Sequence, residues 1–312
     1  MPVPVDRRGF LLLSGAALLA GCTAGHQAST SPGPAGSARA APSSATTSAP
    51  SSATTAAPSS APSSAPSSRE PPALPDVTPW APDRGDVTPE AKLAAARHVE
   101  RHGNGPDSAL QVIEAQFGGL LPGSASVLVV CRSWRRAGGR VVPGGATYDV
   151  RLSRSPAGWH TTRFHPSHPG PARRRLSPDA SAVLRSGRID LPPAARADVR
   201  SGRVHDSVLA AMLRMSQRYR IGVSVVRSGH PLYVFGTDRL SDHPQGRAFD
   251  TFRIDGHLVV DPRTPRRLVT SYMEAAAAAG SYNVGGPYLL GAAPQWFSDR
   301  THHDHVHAGF AQ

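Results

Sequence analysis

The sequence of 312 residues is poor in cysteine, lysine and aromatic residues, and each shortage excludes something. Its two cysteines are Cys22 and Cys131, too few for a structural metal site made of four thiolates. Between residues 23 and 68 there is no Val, Ile, Leu, Met or aromatic residue, and 40 of 46 positions are Ala, Ser, Thr or Pro. Such a stretch has nothing to bury and cannot offset the entropy of ordering, so a folded region of roughly 240 residues remains.

The basic residues outnumber the acidic ones, and almost all of them are arginine. Lys92 is the sole lysine among 34 basic residues, and the formal net charge is +12. A positive charge of this size fits an anionic partner such as a cell-wall polymer, and it fits nucleic acid equally well. Composition alone does not choose between them.

The N-terminal segment predicts export. Arg7 and Arg8 precede an apolar run, residues 10–20, that is too short to span a bilayer, so residues 1–21 are interpreted as a signal peptide. Residues 6–12 resemble a twin-arginine signal, and residues 19–22 resemble a bacterial lipobox in which Cys22 is acylated. The alternative is an ordinary secretory signal followed by an incidental cysteine. We expect lipid anchoring through Cys22 at the extracellular face of the cell membrane.

A disordered linker is predicted over residues 22–75, where Ala-Pro-Ser-Ser recurs three times from Ala57. As a flexible coil, the 46 residues 23–68 would span roughly 40 Å, and as polyproline helix they would approach ~140 Å. Such a tether would let an anchored domain reach into the cell wall. With Cys22 acylated, Cys131 would have no disulfide partner, and its apolar surroundings indicate a buried small residue.

Residues 80–170, the first module, are predicted to form a small α+β domain without a chemical constellation. Thr88-Pro89 begins a helix that should run to about His102, and a second short helix is predicted for residues 108–116. Strands are predicted for residues 126–132, 146–153 and 159–164, separated by glycine turns. Residues 171–204, rich in Pro and Arg, are interpreted as a connector with short structure.

Residues 205–312, the second module, are also predicted to be α+β, with a small antiparallel sheet and flanking helices. Apolar residues recur at helical spacing over residues 207–219 and again from Thr264 to Gly280. Strands are predicted for residues 221–226 and 247–254. The whole folded region is therefore expected to belong to the α+β class.

Two segments of the second module, residues 241–250 and 302–310, carry chemistry. In a strand, His305 and His307 share one face, while residues of the opposite face anchor the strand in the core. Gly246 lets the chain turn so that His243 can reach the same point as Asp250. Two histidines and one aspartate are a three-ligand zinc site with its fourth position open, which is typical of a catalytic site.

The segment from Ser241 to Asp250 matches the Ser-x-His-x-x-Gly-x-Ala-x-Asp motif of the zinc D-Ala-D-Ala carboxypeptidases of the VanY type. The His-x-His close resembles that of related peptidoglycan endopeptidases. The resemblance covers residues 205–312, and it implies that His243, Asp250 and His307 bind zinc (Zn²⁺). An unrelated loop beside a histidine-rich surface segment is the alternative.

One departure from the VanY pattern leaves the general base open. VanY-type enzymes end in Glu-x-x-His, with the Glu as base, and here Asp304 holds that position. The endopeptidase relatives use the first His of His-x-His near the metal water, which corresponds to His305. We favour His305, because Asp304 should alternate away from the face of His307. Arg227 resembles the family arginine that steadies the oxyanion or a substrate carboxylate, although it could equally be a structural arginine at a strand end.

The resemblance implies an exported, lipid-anchored zinc metallopeptidase that hydrolyses peptidoglycan stem peptides, as a carboxypeptidase or as a cross-link endopeptidase. Its partners would be the peptidoglycan peptide and, through the lipid, the membrane. No nucleic-acid partner is expected, and we expect a monomer. The competing hypothesis is a catalytically inactive, zinc-containing module that binds the cell wall.

Overall fold

Residues 72–311 are described by the structure, a computed structural model. They contain five helices and twelve strands in an α+β arrangement. The predicted signal peptide, Cys22 and the linker as far as residue 71 lie outside the described residues. Within residues 72–311, every helix is too short or too polar to cross a membrane.

The first sheet is antiparallel throughout, with strand order β1-β2-β4-β5 and β3 paired to β2. Helix α1 lies against this sheet and buries Ala91, Ala95 and Val99 in a shared core. Cys131 is buried in the same core, where burial raises the pKa of its thiol. The elements are α1 Pro89–Gly103, β1 Ser108–Leu121, β2 Ser124–Ala137, β3 Arg140–Gly144, β4 Thr147–Ser155 and β5 Gly158–Pro166.

The helix predicted for residues 108–116 is wrong, because these residues form the first part of strand β1. Register shifts interrupt the pairing of β1 with β2 at Val112/Glu114 and at Phe117/Gly119. Each shift breaks the two-residue alternation, and four consecutive residues of β1 are buried. The sequence therefore lacks the pattern by which a half-buried strand is recognised. The prediction of α1 and of strands β2, β4 and β5 is confirmed, while β3 was not predicted.

The second sheet has strand order β11-β10-β12-β8-β7-β6, with β9 paired to β8. Its central pairs are antiparallel as predicted, but the outer pairs β10–β11 and β6–β7 are parallel. The elements are α2 Pro178–Arg185, β6 Ile189–Asp190, α3 Pro193–Arg200, α4 Asp206–Ser216, β7 Ile221–Val223, β8 Ala248–Ile254, β9 His257–Leu258, α5 Arg266–Ala278, β10 Asn283–Gly285, β11 Trp296–Phe297 and β12 Val306–Gly309.

Residues 171–204 are more than a connector. Side chains of α2 and α3, among them Val183 and Val199, belong to the core of the second sheet. A small third cluster joins β2, through Leu128 and Val130, to Val225 after β7. All described residues fall in one compact unit. Strand β1 lies directly beside the segments that carry the histidines, because Gln116 and Phe117 form hydrogen bonds with Asp250 and Asp304.

Candidate metal centre

The three predicted ligands, His243, Asp250 and His307, are brought together, and we refer to them as the ligand triad. Asp250 on β8 and His307 on β12 are direct partners across the antiparallel pair. His243 comes from the loop that precedes β8. The atoms His243 Nε2, Asp250 Oδ1 and His307 Nδ1 stand 3.1 Å from one another in all three pairings. Ligands of a tetrahedral metal ion at about 2.0–2.2 Å stand roughly 3.3–3.6 Å apart, so the three atoms lie slightly closer together than such an ion would hold them.

Each of the three converging atoms of the triad can offer a lone pair to a cation. His243 Nδ1 lies 2.9 Å from the carbonyl oxygen of Val226, and a carbonyl can only accept, so Nδ1 donates there and Nε2 is the ring nitrogen turned towards the triad. Burial lowers the pKa of His307 to about 4, which leaves that imidazole neutral at pH 7. Burial would raise the pKa of Asp250, but His243 and His305 hold it well below its usual value. Three acceptors directed at one point can hold a metal ion.

The turn that presents His243 depends on Gly246. Its φ of 74° is in the left-handed region, and a Cβ there would meet the carbonyl oxygen of Arg203 at 2.0 Å. The Gly246 N–H donates to the carbonyl of His243 at 2.8 Å, which closes the turn. The glycine of the sequence motif is therefore explained by both its conformation and the lack of space.

His305 lies beside the triad and is held by Asp304. His305 Nε2 is 3.8 Å from Asp250 Oδ2, while its Nδ1 is 2.5 Å from Asp304 Oδ1. The carboxylate orients the ring, with Nδ1 towards Asp304 and Nε2 towards the triad. Burial lowers the pKa of His305, but Asp250 and Asp304 outweigh it and raise the pKa above its ordinary value. Asp304 itself faces away from the triad, towards Lys92.

A second acidic group, Asp86, His303 and Asp304, has spacing that could suit a metal ion. The ammonium of Lys92 already lies between its carboxylates, 2.6 Å from Asp304 Oδ2 and in contact with Asp86. His303 Nε2 accepts the N–H of Val87 at 2.9 Å, so its lone pair is engaged. A buried lysine therefore supplies the positive charge of this group.

Arg227 is not brought to the triad. Its Nη2 donates to the carbonyls of Pro169 at 2.8 Å and His168 at 3.2 Å, and its backbone N–H donates to Asp198. The side chain lines a separate cavity of about 220 Å³. These contacts favour the structural role of an arginine at a strand end.

A groove of about 720 Å³ opens onto His243 and His307. One wall is the end of β1, residues 118–121, and the other comes from the loops around residues 230–243 and 294–302. His302 lines the groove and its Nδ1 is 2.9 Å from Asp299 Oδ1. Arg239 and Arg300 also line it and supply positive charge.

Four residues near the site escaped the sequence analysis: Lys92, Gln116, Arg239 and Arg300. For Lys92 there was a signal, since it is the sole lysine of an arginine-rich chain and stands among alanines on a predicted helix. For Gln116 there was none, because it falls in a segment predicted as helix. The two arginines could not be distinguished from the many others.

Comparison with protein-family models, with curated proteins and with solved structures finds no significant match for this chain.

Proposed function

We propose that this protein is an exported, lipid-anchored zinc metallopeptidase that hydrolyses peptidoglycan stem peptides, related to the VanY-type D-Ala-D-Ala carboxypeptidases and the His-x-His endopeptidases. The observation that carries the proposal is the ligand triad, whose three lone pairs converge at mutual distances of 3.1 Å beside an open groove. Two imidazoles and one carboxylate suit zinc, and three protein ligands leave a position for water, as in catalytic zinc sites.

Zinc bound at the triad would supply Lewis-acid polarisation of the scissile carbonyl and a water acidified towards neutral pH. His305 is the group that handles the proton, because its Nε2 faces the triad while its Nδ1 is held by Asp304. It accepts the proton of the attacking water and delivers it to the leaving amine. Asp304 keeps the ring in the required tautomer, as the carboxylate does in other His–carboxylate pairs.

The groove supports a peptide with carboxylate groups. Arg239 and Arg300 attract carboxylates of the stem peptide, while Leu121, Phe235 and Leu240 offer apolar surface to its alanine side chains. The groove thus combines positive charge with apolar surface. On this basis we propose that the positively charged protein binds a cell-wall peptide rather than nucleic acid.

The test is metal analysis and hydrolysis with residues 23–312 and with the variants His243→Ala, Asp250→Ala and His307→Ala. The wild type is expected to hold one zinc per chain and to release D-alanine or cleave cross-links in purified muropeptides, as read by mass spectrometry. Each variant should lose zinc and activity, because two ligands are too few to retain the ion.

His257→Ala is the matched control, since His257 is exposed on β9. It should keep both zinc and activity. A wild type that retains zinc yet releases no product would support the cell-wall binding module instead, and near-stoichiometric zinc in all three triad variants would overturn the ligand assignment.

A further inference from the structure

One oxygen of Asp250 is held by the first module. Gln116 on β1 is fully buried, and its Nε2 donates to Asp250 Oδ2 at 2.6 Å. The Ser224 hydroxyl donates to Gln116 Oε1, so the amide can present only its NH₂ group to the carboxylate. With Oδ2 engaged, Oδ1 is the oxygen turned towards His243 and His307. Gln116 thereby selects which oxygen of Asp250 faces the metal position.

The first module also holds the partner of His305. Lys92 on α1 is fully buried, and its Nζ lies 2.6 Å from Asp304 Oδ2. The backbone N–H of Phe117 donates to the same oxygen at 3.3 Å. Both contacts leave Asp304 Oδ1 free for His305 Nδ1. A buried ammonium is costly unless paired, so Lys92 and Asp304 constrain each other strongly.

We propose that the first module completes the active site, with Gln116 and Lys92 as positioning residues that hold the metal ligand Asp250 and the base His305. This inference rests on the proposed peptidase function and assigns a role to residues 80–170. Its basis is two hydrogen bonds from β1 to carboxylates of the second module, between residues 134 and 187 positions apart in the sequence. Each bond ends on Oδ2 of its aspartate, which leaves Oδ1 for the triad or for His305. Such outer contacts fix ligand geometry, and their loss typically costs 10–100-fold in metal affinity or activity.

The first arm of the test measures zinc affinity of residues 23–312 by competition with a chromogenic chelator. Gln116→Leu is expected to weaken zinc binding by about 10–100-fold. Gln111→Leu is the matched control, because Gln111 lies on the same strand and its side chain bonds only to carbonyls of Thr78 and Val112 and the N–H of Thr78. It should leave the affinity within about twofold of wild type, since its partners lie in residues 78–112.

Two further measurements in this arm separate positioning from packing. Ser224→Ala removes the bond that orients the amide and should weaken zinc binding in the same direction but less than Gln116→Leu. The visible spectrum of the cobalt-loaded protein should change in Gln116→Leu and not in Gln111→Leu, because it reports the geometry of the ligands rather than stability.

The second arm measures kcat and KM of Lys92→Met. Zinc affinity and KM should stay close to wild type while kcat falls about tenfold or more, because His305 loses its oriented partner. Lys92→Met leaves Asp86 and Asp304 unneutralised, so the double variant Lys92→Met/Asp86→Asn is measured beside it. The double variant relieves that repulsion and should show the same loss of kcat in a folded protein.

The outcomes distinguish this inference from the proposed function. If Gln116→Leu and Lys92→Met lower only the unfolding temperature, with wild-type zinc affinity, cobalt spectrum and kcat, the inference is overturned and the peptidase stands. A wild type that binds zinc without hydrolysing any muropeptide overturns the peptidase, and the affinity and cobalt arm still decides the role of Gln116. A wild type that binds no zinc overturns both.

Discussion

At the scale of the residue, the proposed handling of a proton depends on the pair Asp304–His305. Of these two side chains, His305 turns its Nε2 towards the triad. Both oxygens of Asp304 contact other groups, His305 Nδ1 and Lys92. This geometry favours the proposed division of roles, in which His305 handles the proton and Asp304 orients its ring.

We expect His305→Ala to keep zinc and to lose activity by about 10²–10⁴-fold, because it removes the general base. Asp304→Asn keeps an oxygen that can accept from Nδ1, so its loss should be smaller, about tenfold. Kinetics of both metal-loaded variants on a stem peptide measure this. A crippled Asp304→Asn beside an active His305→Ala would identify the aspartate as the base.

A second residue-scale prediction concerns Glu114, which is buried on β1 near Lys92. Burial raises the pKa of its carboxyl from 4.5 to about 8 despite Lys92. Between these values the unfolded chain is ionised while the folded one keeps the proton, so unfolding becomes more favourable as the pH rises from 4.5 to 8. Glu114→Gln removes this penalty and should increase the free energy of unfolding by about 1–3 kcal/mol at pH 8 and hardly at pH 4.

Urea unfolding at the two pH values checks this expectation. Glu274→Gln serves as the control, because Glu274 is exposed on α5 and its replacement should change stability by less than about 0.5 kcal/mol. A gain for Glu114→Gln that is equal at both pH values would contradict the pKa shift.

At the scale of the element, the loop before β8 sets the position of His243 through one glycine. Gly246→Ala must bring its Cβ to within 2.0 Å of the Arg203 carbonyl oxygen, in addition to the left-handed φ. We expect a loss of at least ~3 kcal/mol in the free energy of unfolding and a marked loss of zinc affinity, because the turn that carries a ligand has to move.

Gly256→Ala is the matched control for this loop, since Gly256 also has a positive φ, 87°, but has open space around its Cβ position. Its cost should be only about 1–2 kcal/mol, with unchanged zinc affinity. Thermal unfolding of the metal-free proteins and chelator competition measure the two effects. Equal losses in both variants would show that backbone strain alone, and not the contact with Arg203, governs the turn.

Elements with clear end signals or a regular spacing of apolar residues could be predicted from the sequence. Elements that are contacted on several sides could not. Helix α1 has Pro89 and Glu90 in its first turn and Gly103 at its end, and the strand with His307 alternates in sequence, so both can be predicted. Strand β1 is covered by α1 and also contacts Asp250 and Asp304 of the second module, and this double burial with its register shifts conceals its period. The ligand triad could be predicted because it depends on local alternation and a motif. The roles of Gln116 and Lys92 could not, since they exist only through long-range contact, although Lys92 stands out in the sequence as the sole lysine.

At the scale of the whole molecule, the proposed lipid anchor and the predicted linker lie outside the described residues. The anchor is tested by fractionating cells. Cys22→Ala should release the protein from the membrane fraction, because it removes the thiol to which the proposed lipid is attached. Fractionation with a high-salt wash, followed by immunoblotting, measures this. A variant that remains with the membrane would show that the lipobox interpretation is wrong or that a second anchor exists.

Strand β12 lies between β8 and β10, so the ligand triad is complete only once this strand has been inserted into the sheet. The same short strand delivers His307 to the triad and Val306 and Ala308 to the core of the second sheet. Its partners β8 and β10 lie at very different distances along the chain, so its insertion closes two loops of unequal length. Before this strand is inserted, the triad lacks one of its three ligands. On the proposed function, the protein therefore becomes able to bind its metal ion in the same step that completes the core of the second sheet.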